Sequence, residues 1–155
     1  DSYRLEFGDP EPTPVRRVDN VLLRAGGHPS PVDGSTLRLH PDLFSDGAII
    51  LDQLASTTVH YRSDEDDEAV TLAWRGFEKL AIWSPPDDTD LLCVEPWFGL
   101  PDPVDFEGEY RTKPAQLHLD PGQEREFSLR ISLPSPAPAA SAAPKPTASA
   151  QDGRR

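Results

Sequence analysis

Short segments that alternate apolar and polar residues recur along the chain at a spacing of about ten residues. Residues 3–7 and 36–40 show the alternation clearly, and residues 57–62 and 69–75 show it again on either side of an acidic turn. A weaker extended segment is predicted over residues 15–24, and a short strand over residues 116–119. Side chains of a strand point alternately to two faces, so this pattern predicts strands with one buried face. About nine such segments, without an amphipathic helix pattern, predict an all-β fold: an antiparallel β-sandwich.

The composition changes near residue 134. Residues 126–133 still alternate, but from Pro134 onward the chain is mostly Pro, Ala, Ser, Thr and Lys without apolar periodicity. Such a segment cannot bury enough surface to offset its conformational entropy. We therefore predict one sandwich domain over residues 1–133 and a disordered tail over residues 134–155.

The charge of the chain excludes several classes of partner. Its formal net charge is −12, whereas nucleic-acid and anionic-membrane binding need a basic face. No apolar run is long enough to span a bilayer, so we expect no membrane contact. The single cysteine, Cys93, cannot form an internal disulfide, and its apolar neighbours predict a buried thiol. A cytoplasmic protein is expected, and the oligomeric state stays open.

Residues 91–102 depart from the alternating pattern. The apolar run 91–94 predicts a buried strand, and Glu95 follows it directly, where a carboxylate loses hydration and is costly unless paired. Pro96 is predicted to end the strand, because proline cannot donate to a ladder. The aromatic pair at 97–98 comes next, and aromatic rings beside a carboxylate are common in sugar sites. A surface glutamate, or a partner for a nearby cation, is the alternative that this stretch leaves open.

Several spaced elements around this stretch occur together in one family. The elements are Trp83, then Cys93-Val94-Glu95-Pro96-Trp97-x-Gly99-x-x-Asp102, then Lys113, then Leu119-x-Pro121-Gly122. In this order they resemble the C-terminal part of the galactose mutarotase-like (aldose 1-epimerase) family. The resemblance covers roughly residues 3–133 and implies the C-terminal portion of a β-supersandwich.

The resemblance also implies a chemistry. Mutarotases interconvert the α and β anomers of a free aldose: a base takes the anomeric hydroxyl proton while an acid protonates the ring oxygen. No metal or other cofactor is required, and the partner is a small sugar. The motif assigns Glu95 as the base and Asp46 as a substrate-binding carboxylate, together with Trp97 and Asp102. A turn or capping acid is the alternative for Asp46.

The general acid is the element that does not match. The family's histidine lies in a Gly-x-His-Pro-x-Phe-type motif before the strand that matches residues 3–7, whereas Gly26-Gly27-His28-Pro29 follows that strand. We expect His28 to be a loop coincidence and His60 and His118 to be structural, whereas His40 lies at a strand end without a partner motif. The chain has no Met and begins on a strand pattern, so we expect a fragment that lacks the acid and is inactive alone. A non-catalytic carbohydrate-binding module and a structural sandwich without ligand are the alternatives.

Overall fold

The computed structural model describes residues 2–11, 14–65, 68–85 and 90–134. Apart from Pro134, the predicted tail lies outside the described residues, so the domain boundary stays a prediction. No helix in this part of the chain is long and apolar enough to cross a membrane. The strands are β1 Tyr3–Phe7, β2 Val18–Asp19, β3 Leu22–Leu23, β4 Thr36–Arg38, β5 Ile49–Leu51, β6 Thr58–Ser63, β7 Ala69–Arg75, β8 Lys79–Trp83, β9 Cys93–Trp97 and β10 Ser128–Ser132; 3-10 turns cover Pro41–Phe44 and Tyr110–Thr112.

The strands form three sheets. A five-stranded sheet has the order β10-β7-β6-β1-β4, a three-stranded sheet has the order β5-β8-β9, and β2 pairs with β3. All of these pairings are antiparallel. The predicted all-β antiparallel sandwich is therefore confirmed.

The main core lies between the two larger sheets. The small sheet contributes residues with no exposed surface, among them Ile49, Leu80 and Ile82, and the large sheet contributes Leu5 and Val59. Successive residues of a strand point to opposite faces. The residues between these core positions in β5, β8 and β9 must therefore point outward, and this outer face of the small sheet carries the site described below.

The large sheet extends beyond the small one. Leu129 pairs with Trp74 and Ile131 pairs with Leu72, so both β10 side chains continue the inner apolar face. Leu129 is nevertheless 47% exposed and Ile131 58% exposed. The predicted alternation of this strand is present, but the expected burial is not. Among the described strands the small sheet stops at β9, so no second layer covers β10.

Three local predictions were wrong. Pro96 does not end its strand: it pairs with Leu80 inside β9, which is the edge of the small sheet, where a missing N–H is tolerated. Residues 116–119, predicted as a strand, have no strand structure. The extended segment at 15–24 contains the β2–β3 hairpin, and its tip residues Asn20 and Val21 both have positive φ, 45° and 70°. Positive φ at both central residues is the signature of a type I′ hairpin turn.

Candidate functional site

Glu95 lies on the outer face of the small sheet. It pairs with Ala81, which in turn pairs with Ile50, and directly opposed residues share a face. Cys93 and Trp97, two positions away on either side, point to the same face. Glu95 is exposed, so of the two environments that the sequence left open it has the surface one: the apolar run before it faces the core only at alternate positions.

Two neighbours in its own strand bond the Glu95 carboxylate. The Trp97 indole Nε1–H donates to Glu95 Oε2 at 3.1 Å. Burial, the negative charge of Glu95 and a hydrogen bond to Glu95 raise the pKa of the Cys93 thiol. Cys93 is half-buried, where complete burial was predicted. The carboxylate therefore lies between a thiol and an indole.

The strand end that carries Trp97 is held from β8. The backbone N–H of Glu78 donates to the Trp97 carbonyl at 3.1 Å, and Lys79 Nζ donates to the Phe98 carbonyl at 2.7 Å. Lys79 is only 7% exposed. The sequence analysis missed Lys79, although a lysine that opens an otherwise apolar strand (Lys79–Trp83) is a usable signal.

Asp46 precedes β5 and is paired with a cation. Its Oδ1 accepts from Arg24 Nη1 at 2.7 Å, and its side chain is 54% exposed. The hydrogen bond from Arg24 is the main cause that lowers the pKa of Asp46, with smaller contributions from Arg17 and His28. Asp46 can therefore accept hydrogen bonds from hydroxyl groups at the surface, while Arg24 fixes the orientation of its carboxylate.

Asp102 is paired in the same manner. Its Oδ1 lies 2.5 Å from Lys113 Nζ, and the Asp102 side chain is 52% exposed while that of Lys113 is 12% exposed. The Lys113 ammonium also lies 6.0 Å from the centre of the Tyr110 ring. Lys113, whose role the sequence did not reveal, thus orients the Asp102 carboxylate.

The β2–β3 hairpin brings the three segments to one place. Leu23 packs in a cluster with Ile50, Ala81 and Trp97, and its N–H donates to the Asp102 carbonyl at 2.8 Å. The next residue, Arg24, binds Asp46. One short strand therefore contacts the neighbourhoods of Trp97, Asp46 and Asp102. Each of the three carboxylates therefore has a different partner: Trp97 for Glu95, Arg24 for Asp46 and Lys113 for Asp102.

The backbone of His28 is hydrogen-bonded to another segment of the chain. Its backbone N–H and carbonyl both bond to Val15, at 2.8 and 3.0 Å. Its Nε2 is buried and has no hydrogen-bond partner among the described residues. His60, expected to be structural, places Nδ1 2.8 Å from Thr71 Oγ1. Within residues 2–11, 14–65, 68–85 and 90–134, no three His, Cys, Asp or Glu residues are grouped as a metal site would require.

Comparisons with known proteins support the predicted resemblance. No family model matches the chain. The plasmid and chromosomal LacX proteins of Lactococcus lactis subsp. lactis are each 27% identical over 136 residues, which cover 86% of this chain and 46% of theirs. A galactose mutarotase-like protein from Lactobacillus casei is 28% identical with a TM-score of 0.71, covering 86% of this chain and 47% of that one. A galactose mutarotase related enzyme from Lactobacillus acidophilus is also 28% identical, with a TM-score of 0.68 over 86% of this chain and 46% of that one. The chain thus spans about half the length of the proteins it matches.

Proposed function

We propose, from this similarity to galactose mutarotase-like proteins, that the chain supplies the base side of an aldose 1-epimerase (mutarotase) site. The observation that carries the proposal is Glu95, which is exposed on the outer face of the small sheet and bonded on that face by Trp97. It occupies the position that the motif Cys93–Trp97 assigns to the base. A sugar can approach this carboxylate from solvent.

The reaction needs two proton transfers. Glu95 takes the proton of the anomeric hydroxyl while an acid protonates the ring oxygen, and the bond between the anomeric carbon and the ring oxygen breaks. Rotation about the adjacent carbon–carbon bond then presents the other face of the aldehyde. Ring closure returns both protons and gives the other anomer. No metal or cofactor takes part in this scheme.

The surrounding carboxylates suit a neutral sugar. Asp46 and Asp102 each expose about half of the side chain, and each is held by a cation that fixes its orientation. Carboxylate oxygens accept hydrogen bonds from hydroxyl groups, which a free aldose offers around its ring. We propose that these two residues bind the sugar, that the Trp97 ring covers part of its apolar face, and that the protein acts in the cytoplasm.

The acid is proposed to lie outside this chain. Among the described residues, Glu95 has Cys93 and Trp97 as hydrogen-bond partners, and no hydrogen bond in that part of the chain joins it to a histidine. The matched relatives have about twice the length of this chain, which leaves room for an acid there. The same observation favours a second candidate, a sugar-binding module without catalysis.

Polarimetry of a freshly dissolved pure anomer tests the proposal. In a protein of the relatives' length that carries this chain, Glu95→Gln should lower turnover at least about 100-fold, because the amide cannot accept the proton. The matched control is Glu107→Gln, an exposed acid elsewhere. Near-normal turnover of the Glu95 variant would make Glu95 a structural carboxylate.

The chain alone separates the two candidates. We expect residues 1–155 to leave the spontaneous rate of anomer exchange unchanged. Sugar binding without turnover in the longer protein as well would favour the binding module. Full activity of the chain alone would place the acid within it, and His28→Ala would then be the first variant to examine.

A further inference from the structure

The Trp97 side chain is held in two ways, by apolar packing and by a hydrogen bond. Its ring packs against Leu23, Ile50 and Ala81, and the side chain is half-buried. Its only polar atom, Nε1, donates to Glu95. An indole N–H is a donor only, and its bond to an ionised oxygen is stronger than one between neutral groups. Packing on one side and a directed bond on the other leave this ring little freedom to follow a ligand.

The backbone of Trp97 is fixed by an unusual group. Lys79 is opposite Trp97 in the register of β8 and β9, and its ammonium is buried against the Phe98 carbonyl. A buried charge is costly unless it is hydrogen-bonded or paired. Lys79 gains its compensation from that carbonyl, from the Phe98 ring 5.3 Å away and from the Glu78 carboxylate at 3.8 Å. The two contacts with Phe98 hold the strand end that carries Trp97.

We propose that Trp97 is a positioning residue, which orients the Glu95 carboxylate through its indole N–H, and that Lys79 holds Trp97 in place for this role. The effect of the Trp97–Glu95 hydrogen bond on turnover rests on the proposed function, whereas the existence of the bond does not. This role adds to the sugar contact proposed above for the Trp97 ring, and the two roles can be separated by experiment. A stacking ring acts on sugar affinity, while an orienting donor acts on the rate of proton transfer.

Indole resonances test the bond without any activity. A nitrogen-15 spectrum of residues 1–155 contains three indole signals, from Trp74, Trp83 and Trp97, and Trp97→Phe identifies the third by its loss. We expect Glu95→Ala to shift the Trp97 signal clearly more than the other two, while the control Glu107→Ala shifts none of them. A Trp97 signal that does not respond to Glu95→Ala overturns the proposal.

The same spectrum tests Lys79. Lys79→Met keeps the length and apolar stem of the side chain but removes the ammonium. We expect it to shift the Trp97 signal in the same direction as Glu95→Ala while the Trp74 signal, in the main core, stays in place. If the Trp97 signal keeps its position in Lys79→Met, Lys79 does not hold Trp97 and that part of the proposal fails.

Kinetics then distinguish orientation from stacking in a longer, active protein. Trp97→Phe keeps an aromatic ring and removes the donor, so kcat should fall about tenfold while KM changes less than about twofold. An unchanged kcat with a raised KM would show that Trp97 contacts the sugar without orienting Glu95, and it would overturn the proposal. If Glu95→Gln leaves turnover intact, the proposed function fails, yet the indole spectra still decide whether Trp97 orients Glu95.

Discussion

Replacement of Glu11 by alanine should destabilise the fold more than any other exchange of a carboxylate outside the site. Glu11 has no exposed surface. Its oxygens accept from the backbone N–H of Ala55 at 3.1 and 2.9 Å and from that of Ser56 at 2.7 Å. Its own N–H donates to the Gly34 carbonyl at 2.8 Å, so the residue connects three loops.

The magnitude follows from the amides that Glu11→Ala leaves behind. The Ser56 N–H is buried, and the loss of its partner costs about 1–3 kcal/mol. The Ala55 N–H is only partly buried and can reach water, so its loss costs about 0.5–1.5 kcal/mol. Together the two losses predict about 1.5–4.5 kcal/mol, and the middle of that range corresponds to a fall in Tm of roughly 10 °C for a domain of this size. Glu11→Gln keeps one acceptor and should cost about half as much.

Thermal unfolding followed by the fluorescence of the buried Trp74 measures this loss. The matched control is Glu107→Ala, an exposed glutamate, which should leave Tm unchanged within error. If Glu11→Ala lowers Tm by no more than the control does, the buried carboxylate contributes nothing to stability. The reasoning from the unsatisfied amides would then be refuted.

Three further predictions follow from single residues. The charge of Glu95 helps to raise the pKa of Cys93, so Glu95→Gln should lower that pKa and increase the thiolate fraction at pH 8. Alkylation of Cys93 by iodoacetamide should then be faster, and an unchanged or slower rate would contradict the contact between Cys93 and Glu95. Val21 has φ 70° and is 82% exposed, so Val21→Gly should stabilise the chain by about 0.5–1 kcal/mol in chemical denaturation, and a destabilisation would show that its side chain matters. Ile131 is exposed on the uncovered face of β10, so the chain should self-associate in light scattering and Ile131→Lys should reduce this; a monomeric parent protein would disprove it.

The positions of most strands could be predicted from the sequence. A period of two residues is a local property, and it correctly marked β1, β6 and β7 to within a residue or two. The same locality explains why the fold class was predicted correctly, because short alternating segments without helical periodicity permit few other architectures. The motif around Glu95 was also visible locally, since Glu95, Pro96 and Trp97 are adjacent in the chain.

Which face of each strand meets which neighbour was decided only in three dimensions. The sequence left open whether Glu95 loses hydration beside the apolar run or lies at the surface, and the register of β8 and β9 turns it outward beside Ala81. Likewise, nothing near Glu11 in the chain indicates the amides of residues 55–56 that bury it, and nothing near Asp46 indicates Arg24. Burial and ion pairing depend on segments that are far apart in the chain, and an alternating pattern carries no information about the partner that covers a face. The sequence therefore determined most of the strands and the residues of the central motif, while the tertiary structure determined the exposure of its carboxylate and the cations that orient its neighbours.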